Sequence, residues 1–204
     1  MIASVLKLNR SDFRQLKITD PYSIHRTVYS LFPQDEGGRD FLFVDKGGDF
    51  NERHILILSK RPPQIPAYGT IESKNIPGSF LGLDYYGFEV RLNPTKRDKK
   101  DAKIVPITGR ENLIEWFCAK SETWGFKTER ESLQIQSTGV QTFNKQNDQL
   151  GKTAVTQNAA TFTGKLKIID RALFIKSFEQ GIGRGKSFGF GLLQIVPLQI
   201  KGEI

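Results

Sequence analysis

The chain has 204 residues and a formal net charge of +8, with 30 Lys and Arg against 22 Asp and Glu. This excess of positive charge favours an anionic partner, with nucleic acid ahead of a membrane surface. The sequence has no apolar run near the roughly 18 residues of a membrane-spanning helix, its N-terminus lacks the layout of a signal peptide, and its single cysteine, Cys118, excludes a disulfide framework and a cysteine-based zinc cluster.

The first half of the chain predicts the order β-α-β-β. Residues 2–9 alternate as a strand does, and residues 21–32 have the apolar spacing of an amphipathic helix. Two further strands, at 40–45 and 53–60, are joined by a glycine-rich turn. The proline-rich stretch 61–78 predicts a loop that links this half to the next.

The second half predicts the order β-α-β-β-α-β. The repeated order indicates an α+β fold of two tandem ferredoxin-like (RRM-like) domains with antiparallel sheets. We expect an N-terminal domain at 1–80, which carries the helix at 21–32, and a C-terminal domain at 81–204 with a glycine-rich loop. The strands of the second half are expected at 83–94, 131–137, 160–170 and 190–196, and its helices at 109–125 and 170–180.

The helix at 21–32 begins with a strong start signal. Asp20 can accept hydrogen bonds from the unpaired backbone N–H groups of the first turn, and Pro21 suits the first helical position. At about 100° per residue, the apolar residues fall on one side, which must face the core. Another face gathers a phenol, an imidazole and a guanidinium within one turn. The core-facing residues are Ile24, Val28, Leu31 and Phe32, and the second face carries Tyr22, His25, Arg26 and Tyr29.

The second face carries the groups that metal-free RNA cleavage requires. An imidazole, with an unperturbed pKa of about 6.5, exchanges a proton near neutral pH. A guanidinium can hold a phosphate through two hydrogen bonds, and a phenol can orient the reactants. An ordinary solvated helix face shows the same residue types, so the pattern by itself leaves both interpretations open. His54 lies in a predicted strand and is given no role; because the two histidines have unlike contexts, we expect no metal and no cofactor.

The stretch "GIGRGKSFGFG" at 181–191 interleaves glycines with cationic and aromatic side chains. Its "GKS" does not complete a nucleotide triphosphatase loop, because Gln180 stands where that loop requires glycine and a helix precedes it instead of following it. Glycine lets a backbone approach a ligand closely, so the stretch suits a polyanion; an ordinary mobile connection is the alternative. The candidate RNA-binding residues here are Gly181, Gly183, Arg184, Gly185 and Lys186.

A basic run at 91–103 contains six Lys and Arg against two Asp. By itself it fits a solvated loop, but in a basic chain it also fits a row of phosphate contacts. The polar segment 141–158 fits either a surface hairpin or a loop that becomes ordered on RNA. The candidate RNA-binding residues of the basic run are Lys96, Arg97, Lys99 and Lys100.

Four stretches, in this order, resemble the CRISPR RNA-processing endoribonucleases of the CasE type, which are associated with type I-E Cascade. The similarity runs nearly from end to end, and it is the combination of the four that is specific. The stretches are "DPYSIHRTVYSLFP" (20–33), "FEVRLNPTKR" (88–97) with the following "KIVPITGRENLIEWF" (103–117), "GFKTERESLQI" (125–135) and "ALFIKSFEQGIGRGKSFGFGLLQIVP" (172–197).

The resemblance implies a tandem ferredoxin-like enzyme that binds the repeat stem-loop of precursor CRISPR RNA and cuts at the base of the hairpin without a metal ion. In such enzymes the 2′-OH attacks the adjacent phosphate and leaves a 2′,3′-cyclic phosphate and a 5′-OH. Position by position, His25 matches the catalytic histidine and Tyr22 the active-site tyrosine. Arg26 and the glycine-rich stretch would contact RNA, and Lys145 lies where the family places a basic hairpin-binding loop.

The resemblance also implies that the product stays bound and that the chain joins other subunits of a Cascade-type complex. We expect a cytoplasmic protein that makes no membrane contact and needs no DNA contact for cleavage. Two alternatives remain open. One is a ferredoxin-like subunit that binds an RNA hairpin without cutting it, and the other is a structural subunit of a ribonucleoprotein whose charge serves assembly only.

Overall fold

The computed structural model describes residues 1–33, 39–49, 51–98, 100, 102–147 and 151–198, with the side chains of 142–147 and 151–155 outside that description. Each half of the chain builds one antiparallel sheet. The elements of the first half are β1 (Ile2–Asn9), α1 (Arg10–Gln15), α2 (Pro21–Ser30), β2 (Phe41–Gly48), β3 (Glu52–Ser59) and β4 (Thr70–Asn75). Those of the second half are β5 (Tyr85–Leu92), β6 (Thr95–Arg97), β7 (Ile104–Pro106), α3 (Arg110–Ser121), β8 (Phe126–Thr128), β9 (Gln134–Asn147), β10 (Gly151–Ile168), α4 (Arg171–Gln180) and β11 (Gln194–Pro197).

The two sheets have the same strand order. The first runs β2-β3-β1-β4 and the second β8-β10-β5-β11, so that in each the first strand along the chain lies between the third and the fourth. This is the order of a ferredoxin-like domain, and it confirms the predicted α+β fold of two tandem ferredoxin-like units. The strand β9 pairs with β10 beside this path, and β6 and β7 form a separate small hairpin.

The prediction that 61–78 is only a loop is wrong, because β4 lies inside it and pairs with β1 from Ile2↔Asn75 to Lys7↔Thr70. β4 is an edge strand, and only Ile71 of its residues packs against the core of the first half. An edge strand without alternating burial leaves no hydrophobic period in the sequence. The stretch before β4, residues 60–69, forms neither helix nor strand, so the first half lacks the second helix of the complete fold.

Helix α2 starts as predicted. The side chain of Asp20 accepts a hydrogen bond from the backbone N–H of Ser23 at 2.7 Å, and Pro21 occupies the first helical position. The helix ends at Ser30, two residues earlier than expected. The apolar stripe is buried: Ile24, Val28, Leu31 and Phe32 are at most 4% exposed.

Strand β2 joins the two halves because both of its faces are buried. Phe41 and Phe43 pack with the α2 side of the first sheet. Leu42 and Val44, on the opposite face, form a cluster with Phe178 of α4 and with Leu192. Since Phe178 and Leu192 belong to the second half of the chain, this cluster holds the glycine-rich segment between them against the first sheet.

The hairpin of β9 and β10 extends well beyond the predicted strands at 131–137 and 160–170. Its register runs from Gly151↔Asn147 to Thr163↔Gln134, with one irregularity next to Phe162. Of the two interpretations of segment 141–158, the hairpin is therefore the one that the structure adopts. Within the described part of the chain, no helix combines the length and apolar composition needed to cross a bilayer.

Candidate active site

The glycine-rich segment 181–191 is tightly packed, which differs from the flexible loop that its composition predicted. The backbone N–H of Ile182 donates to the carbonyl of Gly191 at 2.9 Å, and the N–H of Gly191 donates to the carbonyl of Arg91 at 2.8 Å. Ile182 and Phe190 are 2% and 0% exposed. The segment is therefore closed at its two ends, and only its middle faces solvent.

Two of the glycines are required by close backbone contacts. Gly191 has φ +81°, and a Cβ added there would lie 2.2 Å from the carbonyl oxygen of Ile182. Gly181 has φ +73°, and its Cβ would lie 2.9 Å from the carbonyl oxygen of Gly191 and 2.8 Å from a methyl group of Leu42. Only glycine adopts this conformation in so little space. Gly181 is thus buried at the seam with the first sheet, whereas Gly183 and Arg184 are exposed.

The middle of the segment lies on the outward face of α2. His25 Nδ1 is 2.6 Å from the backbone carbonyl oxygen of Ser187, which is 162 residues away along the chain. A carbonyl oxygen can only accept, so Nδ1 is the donor and carries the proton. In the neutral ring, Nε2 is then the nitrogen that carries no proton and can accept one, and the contact with Ser187 fixes the orientation of the ring.

Aromatic rings surround the half-buried imidazole of His25. The ring of Tyr22 stacks at 5.3 Å with an interplanar angle of 13°, and the ring of Tyr29 lies at 3.9 Å. Phe188 of the glycine-rich segment also stacks on the imidazole, at 5.5 Å. Arg26 lies 5.8 Å from the ring of Tyr22 and is itself exposed. The structure therefore brings the predicted Tyr22, His25 and Arg26 together with a second tyrosine and a phenylalanine.

Cationic side chains adjoin this cluster. Arg39 donates a hydrogen bond from Nη1 to the hydroxyl of Ser187 at 3.2 Å. Burial, and secondly the positive charge of Arg39, lower the pKa of Lys186 below its ordinary value. Arg39 could not be recognised from the sequence, because it stands in a polar connection before β2 that carries no motif. Helical spacing placed Tyr29 on the same face as His25, and the structure shows the two rings in contact. Phe188 was visible in the sequence, but nothing there indicated that it would meet His25.

A second group of predicted residues shares a cavity with part of the glycine-rich segment. Lys96 and Arg97, at the end of β6, line one cavity together with Gly183 and Arg184. Gly185 is half-buried against Phe190 and Gln157, and Lys100 is exposed. Lys99 lies outside the described residues, as does the side chain of Lys145, whose backbone belongs to β9.

The second histidine of the chain has a different environment. His54 lies in β3, and its Nε2 is 2.5 Å from the carboxylate of Glu52. This agrees with the prediction that it is a strand residue with a satisfied side chain. Among the described residues, no three His, Cys, Asp or Glu side chains form a group that could hold a metal ion.

Comparison with known proteins gives three similarities. A sequence model of a family described as CRISPR associated protein matches residues 1–197. The CRISPR system Cascade subunit CasE of Escherichia coli (strain K12) is 31% identical over 194 residues, which cover 88% of this chain and 93% of that protein. The CRISPR-associated endoribonuclease Cse3 of Thermus thermophilus is 29% identical over 115 residues, 54% of each chain.

Among solved structures, CRISPR endoribonuclease Cse3 bound to a 19-nucleotide RNA superposes with a TM-score of 0.82. The superposition covers 97% of this chain and 100% of the other, at 21% sequence identity. At that level of identity the likeness shows a shared fold, which agrees with the two ferredoxin-like sheets described above.

Proposed function

Because the chain belongs to the family of CRISPR associated proteins, we propose that it is an endoribonuclease that binds the repeat stem-loop of precursor CRISPR RNA and cuts it at the base of the hairpin. The name of one relative and a solved structure support the proposal: Cse3 is named an endoribonuclease, and one structure of Cse3 holds RNA. CasE is a Cascade subunit, so we extend the proposal to association with a Cascade-type complex and retention of the product.

The observation that carries the proposal is the position of His25. Its ring is held at Nδ1 by the Ser187 carbonyl, between the aromatic rings of α2 and the glycine-rich segment. A histidine that only filled space would not need this arrangement beside Arg39, Lys186 and Arg26. A proton-transfer group and several cations around one point suit a phosphodiester as substrate.

In the proposed reaction, the 2′-oxygen of one nucleotide attacks the adjacent phosphorus. His25 Nε2 removes the proton of the 2′-OH as a general base, the bond between the 2′-oxygen and phosphorus forms, and the bond between phosphorus and the 5′-oxygen breaks. The leaving 5′-oxygen takes a proton from a general acid or from water. The products are a 2′,3′-cyclic phosphate and a 5′-OH, with no net uptake of water.

The neighbours of His25 have proposed roles that follow from their positions. Tyr22 stacks on the imidazole and orients it or the adjacent base. Arg26, Lys186 and Arg39 stabilise the charge that develops on the phosphorane. The surrounding side chains together hold the 2′-oxygen, the phosphorus and the 5′-oxygen in line. Proton transfer by an imidazole and charge stabilisation by cations supply the chemistry without a metal ion, so we propose metal-independent cleavage.

The proposed RNA path continues from the active site along the cationic side of the glycine-rich segment, from the N-terminal domain at 1–80 to the C-terminal domain at 81–204. The stem is recognised by its A-form shape and its phosphates, as is usual for double-stranded RNA. The proposed contacts are Lys96, Arg97, Lys99, Lys100, Lys145, Gly183, Arg184, Gly185 and Lys186.

The test uses a labelled repeat RNA from the same genome, incubated with the protein in excess EDTA. We expect a single cut at the hairpin base and a cyclic phosphate at the new 3′ end. Such an end cannot be extended by poly(A) polymerase until a polynucleotide kinase with 3′-phosphatase activity has removed the phosphate. A cut that requires Mg²⁺ would contradict the mechanism but leave the family assignment intact.

A second candidate function is that of a subunit that binds the hairpin without cutting it. The stacking of Tyr22, Tyr29 and Phe188 around His25 is the observation that favours it, because rings that cover the imidazole restrict the approach of a substrate. Binding of the repeat RNA with no cleavage over long incubation would decide for this alternative.

A further inference from the structure

A cavity of about 540 Å³ lies between the β6–β7 hairpin, α3 and the glycine-rich segment. Four cationic side chains line it, two at the end of β6 and one each from α3 and the glycine-rich segment: Lys96, Arg97, Lys120 and Arg184. Among the described residues that line the cavity, none is Asp or Glu. No carboxylate of the cavity wall therefore balances its positive charge, and the cavity suits a negatively charged ligand.

Aromatic side chains also line this cavity. Trp116 of α3 and Trp124 lie on its wall, and they are the only two tryptophans in the sequence. Their rings meet edge to face, with centroids 6.2 Å apart and an interplanar angle of 74°. A phosphate alone would need only the cations, and a wall with two indoles points to a ligand that also has a flat ring.

Two residues of this wall each have a buried side-chain polar atom that makes no hydrogen bond to any residue that the structure describes. The indole Nε1 of Trp116 is a buried donor and the side-chain oxygen of Asn93 a buried acceptor, and neither makes a hydrogen bond within the described part of the chain. Buried polar groups are nearly always paired, so an unpaired donor and an unpaired acceptor on one wall are unusual. A ligand whose edge offers both an acceptor and a donor would pair with them once the wall side chains move apart.

We propose that this cavity takes one unpaired nucleotide of the RNA strand that flanks the repeat stem-loop. The base contacts Trp116, Trp124 and Asn93, and its phosphates contact the cationic side chains. The inference rests on the proposed function and adds a binding site to it. A paired base is unsuitable because its hydrogen-bonding edge is already occupied, whereas an unpaired base presents that edge and both ring faces.

The cavity adjoins the proposed active site through the glycine-rich segment. Arg184 lines the cavity, and Ser187 contacts His25. Three residues of chain span at most roughly 11 Å. An RNA strand cut beside His25 therefore needs to continue only a short distance to place a neighbouring, unpaired nucleotide at the cavity.

The experiment measures binding with RNAs that carry a 2′-deoxy nucleotide at the cut site, which cannot be cleaved, and measures cleavage with the same RNAs in their all-ribose form. One is the bare hairpin, two carry a short single-stranded flank on the 5′ or the 3′ side, and a matched set has abasic sugars in the flank. We expect one intact flank to tighten binding about tenfold, as base stacking on aromatic side chains does, and to quench the tryptophan emission. The abasic flank should lose most of that gain.

Two variants assign the effect to the cavity. Trp116→Phe keeps a ring but removes the donor, and Lys120→Gln removes one charge of the wall; neither residue belongs to the proposed active site. Each should reduce the advantage of the intact flank several-fold, while binding and cleavage of the bare hairpin stay unchanged. Lys176→Gln, at an exposed lysine of α4 that does not line the cavity, is the matched control.

The outcomes separate this inference from the proposed function. If the flanked and the bare hairpins are cut and bound alike, with unchanged tryptophan emission, the inference is wrong and the proposed function stands. If the abasic flank binds as well as the intact one, the cavity holds phosphate and not a base, which also overturns the inference. If no repeat RNA binds or is cut, both fail; quenching by an acidic peptide alone would then mark the cavity as a protein-binding site.

Discussion

Helices α2 and α3 occupy the same place in the two halves of the molecule, each following the first strand of its sheet. Both bury four residues. Their outward faces differ: that of α2 carries His25 between aromatic rings and meets the glycine-rich segment, whereas that of α3 carries Glu111, which pairs with the exposed Arg130. The two helices thus have equal structural roles and unlike surfaces.

The difference shows that position in the fold does not by itself make an active site. Helix α2 carries the candidate site because the chain returns to it through the glycine-rich segment, 162 residues after His25. On α3, the acidic side chains meet only a solvent-exposed partner. Substitutions on the two helices and on the glycine-rich segment test this contrast.

The strongest test of the contrast is His25→Ala. Loss of a general base should lower the cleavage rate about 10²- to 10⁴-fold, while RNA affinity changes little, because the cations that contact phosphate remain. Single-turnover cleavage and fluorescence anisotropy measure the two quantities. His54→Ala is the matched control and should cut normally. A parallel loss of affinity and cleavage would make His25 a binding residue instead.

The glycine-rich segment is tested by Gly191→Ala. The new Cβ would collide with the Ile182 carbonyl at 2.2 Å in a backbone conformation of φ +81°. We expect the free energy of unfolding to fall by about 3 kcal/mol, measured by chemical denaturation. Gly139→Ala, at a position with open space around its Cβ and no positive φ, should change it little. Equal stability of the two variants would show that the segment is not tightly held against the first sheet.

Arg184→Ala tests whether the segment belongs to the RNA-binding surface. Removing one phosphate contact should weaken hairpin binding about tenfold and reduce the slope of log affinity against log salt by about 1. Arg184→Lys keeps the charge and should keep the slope. An unchanged slope in Arg184→Ala would remove this side chain from the interface.

If Lys186 contacts RNA as proposed, RNA binding should be sensitive to alkaline pH. Burial and the charge of Arg39 lower its pKa, so in the folded protein it loses its proton at a lower pH than an ordinary lysine. Affinity for a non-cleavable RNA should therefore fall as pH rises through this lowered pKa. In Lys186→Arg, which stays charged, the fall should move to higher pH.

The lowered pKa of Lys186 also makes the stability of the folded protein depend on pH. Because the unfolded chain holds the Lys186 proton more tightly than the folded one, this group destabilises the fold at neutral pH. That penalty is lost as pH rises from the lowered pKa to the ordinary one. If RNA affinity falls over the same alkaline pH range in Lys186→Arg as in the unchanged protein, the pH dependence does not come from Lys186.

The smallest effect is expected on α3. Glu111 and Arg130 have side chains that are 69% and 49% exposed, and solvent screens their attraction. Glu111→Ala should change the free energy of unfolding by about 0.5 kcal/mol or less and leave cleavage of the repeat RNA unaltered. A clear loss of cleavage would mean that both helices contribute to the site, and the contrast between them would fail.

The sequence by itself determined the elements that depend on neighbouring residues. Asp20 and Pro21 set the start of α2, and the spacing of Ile24 and Val28 set its buried face, because capping and helical periodicity act within one or two turns. The repeated element order indicated the tandem fold. Local patterns did not predict β4. This strand lies at the edge of the sheet and buries almost none of its side chains, so its sequence does not alternate between apolar and polar residues.

Tertiary structure decided what surrounds His25. The sequence pointed to His25 and to the glycine-rich segment separately. The structure joins residues far apart in the chain: Ser187 contacts both His25 and Arg39, and Arg184 lines one cavity with Lys96. Such contacts arise when two sheets pack through shared buried residues such as Leu42 and Leu192. No local propensity encodes them, because the free energy that forms them comes from burial that only the assembled halves provide.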